Sequence, residues 1–224
     1  MPKAKSMNSI TEENYLKAIY SLSNQGTAST NSIAERLQTK ASSVTDMAKK
    51  LAEKKLVHYK KYQGVQLTDK GMSIALKIIR KHRLWEVFLV EKLQFKWDEV
   101  HDIAEQLEHI NSVELTTRLD EFLGFPRFDP HGDPIPDKDG KMIERKSTKL
   151  LSELQLGETG IIVGVEDSDA HFLQYLESQE LVLGTPVNLK KYFEFDRSMM
   201  VLAGKKELTL SYQVCKNLLI KVDA

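Results

Sequence analysis

The sequence predicts a mainly α fold with a small β part: an N-terminal winged helix-turn-helix, a helical middle region and a small C-terminal β-barrel. Three observations predict it. Two short helical patterns joined by a polar turn run directly into an alternating, lysine-bearing hairpin. Long apolar-periodic segments then fill the stretch from Thr68 to Leu123. After a segment holding four of the six prolines, the pattern changes to short β runs separated by glycine turns.

The first helix starts at Ser9 or Thr11. Thr11 as N-cap, with Asn14 three residues on and Glu12 and Glu13 in the first turn, gives favourable capping and dipole terms. Ile10, Tyr15, Leu16, Ile19, Tyr20 and Leu22 form its apolar stripe, and Asn24-Gln25-Gly26 ends it. A short helix from about Asn31 to Leu37, a turn at Gln38-Thr39-Lys40 and a longer helix from about Ser42 to Lys54 complete the helix-turn-helix, with Val44, Met47, Ala48 and Leu51 spaced for burial. The run from Leu56 to Leu67 alternates as two short strands around a turn at Gln63-Gly64, which is the wing. A long helix follows Thr68-Asp69-Lys70-Gly71 and is apolar over much of its circumference, so it is buried and suits a dimer interface. Trp97-Asp98 opens the central helix, and Val113 to Leu123 forms another that stops at Gly124-Phe125-Pro126.

Phe125 to Pro136 cannot be helix or central strand and reads as an extended linker. Beyond Leu151 come β runs at 160–165, 185–189, 198–202, 207–210 and 217–222, interrupted by a helix from Ala170 to Gln179. The expected parts are therefore 1–76 (winged helix-turn-helix), 77–125 (helical), 126–150 (linker) and 151–224 (barrel).

Composition excludes several classes. With 41% hydrophobic and 29% charged residues the chain can bury a core of its own. No apolar run is long enough for a membrane span and no signal-peptide pattern opens the sequence, so a cytoplasmic protein with no membrane partner is expected. Cys215 is the single cysteine, which leaves no disulfide framework and no thiolate zinc cluster. The net charge of zero conceals an asymmetry: residues 1–80 hold 14 Lys+Arg against 6 Asp+Glu, whereas residues 81–145 hold 9 against 15. A basic third that can meet a polyanion is thus joined to an acidic part that can hold cations.

The basic third has the chemistry for double-stranded DNA. Ser42, Ser43 and Thr45 place short hydroxyls in the first turn of the recognition helix, where they can approach base edges or phosphates. Lys40, Lys49, Lys50, and Lys60, Lys61 and Gln63 of the wing would meet the backbone. A helix cap followed by a solvated lysine face would look the same were the wing not there.

The acidic part carries metal-ligand types. On a helix at about 100° per residue, His101, Glu105, Glu108 and His109 fall within an arc of roughly 100°. Val100, Ile103, Ala104, Leu107 and Ile110 gather opposite. His82 and Glu86 form an i, i+4 pair on the preceding helix. Imidazole with carboxylates and no thiolate suits a hard divalent first-row ion. The first helix can add the side-chain carbonyl of Asn14. A solvated acidic face with two histidines is the competing reading. His58 and His131 have no such company and read as wing and linker residues.

Several motifs together carry a resemblance over nearly the whole chain: T-E-E-N-Y-L from Thr11, A-S-S-V-T from Ala41, L-T-D-K-G from Leu67, R-K-H-R-L-W-E around His82, V-H-D-I-A-E-Q-L-E-H from Val100 and D-P-H-G-D-P-I-P from Asp129. The chain resembles the diphtheria toxin repressor family of metal-dependent regulators. That resemblance implies a homodimeric, metal-activated repressor with a C-terminal SH3-like domain, a palindromic DNA operator and no enzymatic activity. It implies a primary metal site of Asn14, Glu105, Glu108 and His109 and an ancillary site of His82, Glu86 and His101, with Asp169 and His171 as candidates to complete the latter. Iron-responsive members carry Cys where Glu105 stands and manganese-responsive members carry Glu, which points to Mn(II), with Fe(II) as the alternative. Asn14 departs from both patterns, and Lys17 stands where some manganese regulators place a Glu ligand, so a closely spaced two-metal arrangement is not expected. The rivals are a winged-helix regulator with a non-metal effector and a metallohydrolase using Glu105 or Glu108 as base.

Overall fold

The computed structural model describes residues 8–23, 26–143, 145 and 147–222. It divides into two compact units, one of residues 1–82, 108–111 and 136–141, the other of 83–107, 112–135 and 142–224.

The first unit holds the winged helix-turn-helix. Helices α1 (Ile10–Leu22), α2 (Thr30–Arg36) and α3 (Ala41–Glu53) precede the antiparallel strands β1 (Val57–Lys60) and β2 (Gly64–Leu67). The N-cap of α1 is Ser9 rather than Thr11: its hydroxyl accepts from the Glu12 amide while Glu12 reaches back to the Ser9 amide, a reciprocal capping box. Glu12, rather than Asn14, is therefore the third residue of the cap. Its carboxylate is buried and held by Lys54 at 2.7 and 2.8 Å and Lys50 at 3.1 Å. Leu16, Ile19, Ile33, Val44, Leu51, Leu56 and Val65 close the core around these elements. Ile10, expected on the stripe, is 59% exposed. Asn24 and Gln25, the expected stop of the first helix, lie outside the described residues. A bridge between Ala28 and Val65 ties the wing to the body, and a Cβ at Gly64 would lie 2.6 Å from the Ala28 carbonyl oxygen, so no larger residue fits there.

Helix α4 (Asp69–Leu93) is 25 residues long and continuous through the boundary between the units. Helix α5 (His101–Leu107) ends one residue before Glu108, so Glu108 and His109 stand in the turn that follows and not on the face of a single long helix. Helix α6 (Val113–Phe122) follows, capped by Ser112.

In the second unit the proline segment is folded rather than extended. The Asp129 carboxylate accepts the amides of His131 and Asp133, each at 2.9 Å, which turns the chain tightly. Arg83 of α4 holds that turn, with Nε 3.4 Å from Asp129, Nη2 3.1 Å from Asp133 and Nη1 donating to the Pro134 carbonyl. Ile135 is buried with Leu84, Val87 and Leu119. On its other side the turn meets the C-terminal sheet, where the Val165 amide donates to the His131 carbonyl at 3.1 Å.

That sheet has six antiparallel strands in the order β3-β8-β4-β5-β6-β7. They are β3 (Thr148–Leu150), β4 (Thr159–Val165), β5 (Pro186–Tyr192), β6 (Met199–Ala203), β7 (Lys206–Leu210) and β8 (Leu218–Val222). The five predicted runs are present; β3 is additional and starts the sheet before residue 151. Bulges between Ile162 and Gly164 and between Leu189 and Lys191 bend the sheet around a core of Leu151, Ile162, Leu173, Leu176, Val201 and Ile220. Helix α7 (Ala170–Ser178) supplies two of those leucines, and a short α8 (Tyr212–Cys215) precedes β8. Among the described residues no helix is long and apolar enough to cross a membrane.

Gly132 at φ +85° sits in the Asp129 turn, and a Cβ there would fall 2.1 Å from the Val163 carbonyl oxygen. Gly132→Ala is expected to destabilise the protein by about 2–4 kcal/mol, from backbone strain plus the clash, visible as a lower urea midpoint. An unchanged midpoint would show that the turn does not dock on β4.

Candidate metal centre

Two clusters of metal-ligand side chains emerge, each considered within its own unit. The first lies where α1 meets the turn at 108–109. Glu108 has no solvent exposure. Its Oε2 is held by Lys17 Nζ at 2.7 Å and His82 Nδ1 at 2.6 Å. Its Oε1 has no hydrogen-bond partner, and neither has the buried Oδ1 of Asn14. His109 completes the arrangement: Nδ1 stands 2.7 Å from the Glu13 carboxylate, which fixes the ring and leaves Nε2, 3.8 Å from Glu108 Oε1, as the free donor. A buried carboxylate oxygen without a partner costs on the order of 1–3 kcal/mol. Burial raises the Glu108 pKa, but the His82 hydrogen bond and the Lys17 charge outweigh it and hold the carboxyl below its ordinary value. A partnerless carboxylate oxygen with an imidazole nitrogen 3.8 Å away fits a hard divalent cation. An N and an O donor about 3.8 Å apart can both lie near 2.1 Å from one ion.

His82, expected in the ancillary site, makes a 2.6 Å contact to Glu108. Glu105, expected beside Glu108, is counted with the second unit.

The second cluster is built on Glu86, which is 2% exposed. His101 Nδ1 lies 3.6 Å from Glu86 Oε1. On the same oxygen, at 3.7 Å, converges His131 Nδ1, and Asp129 joins them, all three of Glu86, Asp129 and His131 being buried. His131 is therefore no plain linker residue. Its Nε2 donates to the Trp97 carbonyl at 2.8 Å, which leaves Nδ1 facing Glu86. Its only trace in the sequence is the pairing of Asp129 and His131 at i, i+2, too short a pattern to stand out. Glu13, the other residue the sequence left unassigned, reads there as a first-turn acid.

Asp169 and His171 join neither cluster among the described residues. Asp169 caps α7, accepting from the His171 and Phe172 amides, and both side chains are exposed. On the basic face, Lys40, Ser42, Ser43, Lys49, Lys60, Lys61 and Gln63 are exposed and Thr45 is half-buried. Lys50 is exposed as well, with its ammonium 3.1 Å from the Glu12 carboxylate.

Residues 7–65 match the N-terminal DNA binding domain of iron dependent repressors, 68–137 their metal binding and dimerisation domain, and 149–222 a FeoA domain. A solved manganese-dependent transcriptional repressor complex with manganese is 35% identical, with a TM-score of 0.86 over 95% of this chain and 100% of that one. The chain belongs to the diphtheria toxin repressor family of metal-dependent regulators. Within this family, the iron-dependent repressor IdeR of Mycobacterium tuberculosis (strain ATCC 25618 / H37Rv) is 35% identical over 127 residues, 56% of this chain and 55% of that protein. The match thus spans about half the length of the curated relatives. A probable metal transport system membrane protein of Chlamydia trachomatis (serovar D) is 44% identical over 91 residues, 41% of this chain and 20% of that protein. The bent C-terminal sheet is the SH3-like domain of the family.

The second cluster gives a pH dependence. Burial depresses the His131 pKa, but the Glu86 and Asp129 carboxylates and the Trp97 carbonyl outweigh it and raise it from 6.5 to about 9. The imidazolium therefore stabilises the metal-free fold fully below about pH 6.5, and the contribution is lost as pH rises through 9. Burial together with the charges of Glu86 and Asp133 pushes the Asp129 carboxyl upward. In metal-free protein the melting temperature is expected to fall between pH 6.5 and 9.5, and His131→Gln to flatten that slope. The same slope in both proteins would remove His131 as its source.

Proposed function

We propose that this chain is a metal-dependent transcriptional repressor, acting as a cytoplasmic homodimer on a palindromic DNA operator and not as an enzyme. Mn(II) is the expected corepressor and Fe(II) the alternative. The observation that carries the reading is the partnerless buried Glu108 Oε1 3.8 Å from His109 Nε2, in the unit that also carries the recognition helix and the partnerless, buried Oδ1 of Asn14. Asn14 on α1 and Glu108 and His109 after α5 would hold the primary ion, with Glu105, three residues before Glu108, as the fourth ligand. Glu86, His101, Asp129 and His131 would hold a second ion, with His82 shared in sequence between the two sets.

Asn14 on α1 and Glu108 and His109 in the turn would hold the dication, which would supply the positive charge their oxygens lack. Because α1 packs on the recognition helix through the Glu12 ion pairs, a shift of α1 is felt by the DNA-reading face. Lys40, Ser42, Ser43, Thr45, Lys49, Lys50, Lys60, Lys61 and Gln63 would contact DNA. Two recognition helices about 34–36 Å apart would grip the two half-sites. Moving such an equilibrium from mostly free to mostly bound requires a preference of about 10⁴-fold, or about 5.5 kcal/mol, which two ions per subunit can share. The likeness to a metal transport membrane protein supports control of metal uptake as the regulated process.

The test is a gel shift on operator DNA with and without Mn(II). Binding is expected only with metal, and Glu108→Ala is expected to weaken metal-dependent binding at least 100-fold. Equal binding in the presence of a chelator would sink the corepressor role.

A further inference from the structure

The tip of the wing carries a side chain that phosphate binding alone does not explain. Between β1 and β2 the chain turns through Lys61, Tyr62 and Gln63, and Tyr62 is 93% exposed. Its φ of +66° lies in the left-handed region, where glycine or asparagine is relaxed and an aromatic residue is strained. A ring that buries nothing within the fold, held on strained backbone at the end of a hairpin, has its use in a contact. The Lys61 ammonium stands 4.9 Å from the ring centroid, so a cation and a ring are presented together.

The wing is also fastened in place. Ala28 and Val65 exchange two backbone hydrogen bonds, of 2.9 and 2.8 Å, which tie β2 to the segment leading into α2. Between the wing and the helices lies a cleft of about 390 Å³ whose lining includes Thr27, Ser29, Asn31, Thr45, Tyr59 and Gln63, with no acidic side chain among the described residues. Hydroxyls and amides of this kind bond phosphate and sugar. A duplex that takes α3 in its major groove would lay the strand between its two grooves along this cleft. The tip of the wing would then fall at the minor groove.

We propose that Tyr62 reads the minor groove beside each half-site and selects A·T pairs there. The minor-groove edge of an A·T pair offers only acceptors to a phenol hydroxyl, whereas a G·C pair places the guanine amino group in the same space. That amino group is a donor, and it fills the floor against which the ring would pack. A·T tracts also narrow the groove and deepen its negative potential, which suits the Lys61 ammonium beside the ring. Tyr62 thus adds a sequence preference where the wing lysines give affinity alone.

The inference rests on the reading of the chain as a DNA-binding repressor, and the experiment separates the two. The full chain with Mn(II) first selects a palindromic duplex from a random pool. That duplex is then made with the pairs next to each half-site as A·T, as G·C or as inosine·C, which keeps the major-groove edge of G·C and lacks the minor-groove amino group. Fluorescence anisotropy is expected to show about tenfold weaker binding with G·C flanks, and inosine·C flanks are expected to restore the A·T affinity. Tyr62→Ala is expected to bind all three duplexes equally. Tyr62→Gly, which relaxes the backbone at this position, is expected to lose the preference in the same way, so that the loss is not an effect of folding. Lys61→Ala is expected to weaken all three and keep their order. Metal-dependent binding without a flank preference, the same preference in both Tyr62 variants, or inosine·C flanks that behave as G·C overturns the role of Tyr62 alone. A pool that yields no enriched sequence overturns the repressor reading and this inference with it.

Discussion

A carboxylate with no access to water needs cations or hydrogen-bond donors, and Glu108 is such a carboxylate. Its burial would be prohibitive were Lys17 from α1 and His82 from α4 not in contact with one of its oxygens. These contacts join three segments far apart in sequence, residue 17, residue 82 and residue 108. The first unit is consequently organised around a buried charge of which one oxygen is held by its own side chains and the other has no hydrogen-bond partner.

The second unit repeats the physical situation with other parts. Glu86 and Asp129 are buried, and Arg83 and the imidazolium of His131 hold the charge balance. Here the cation that stabilises the fold is one that a metal ion could replace, because an imidazolium can lose its proton.

The DNA-reading face is arranged by the same economy of charge. Buried Glu12 holds the ammonium groups of Lys50 and Lys54, while the side chains of Lys40, Lys49, Lys50 and the wing lysines stay exposed. Because Glu12 and Glu13 are neighbours on α1, one bonding the recognition helix and the other orienting His109, a single helical turn connects the metal side to the DNA side.

Much of this was legible in the sequence. Apolar spacing and turn residues determined the helix-turn-helix, the wing and five of the six C-terminal strands, because those signals are local and each element buries the face its own periodicity defines. The donor types were legible too: His, Glu and Asn without thiolate specify a hard divalent ion wherever they meet. Which donors meet was not. Glu108 and His109 were read on one helical face with His101, yet the helix stops at Leu107 and the turn presents them to α1. His131 was read as a lone linker histidine, yet the Asp129 turn, clamped by Arg83, brings it to Glu86. Periodicity reports what a segment does along its own axis; the convergence of side chains from residues 14, 17, 82 and 108, or 86, 129 and 131, depends on long-range packing that no local pattern encodes, and only the tertiary structure decided it.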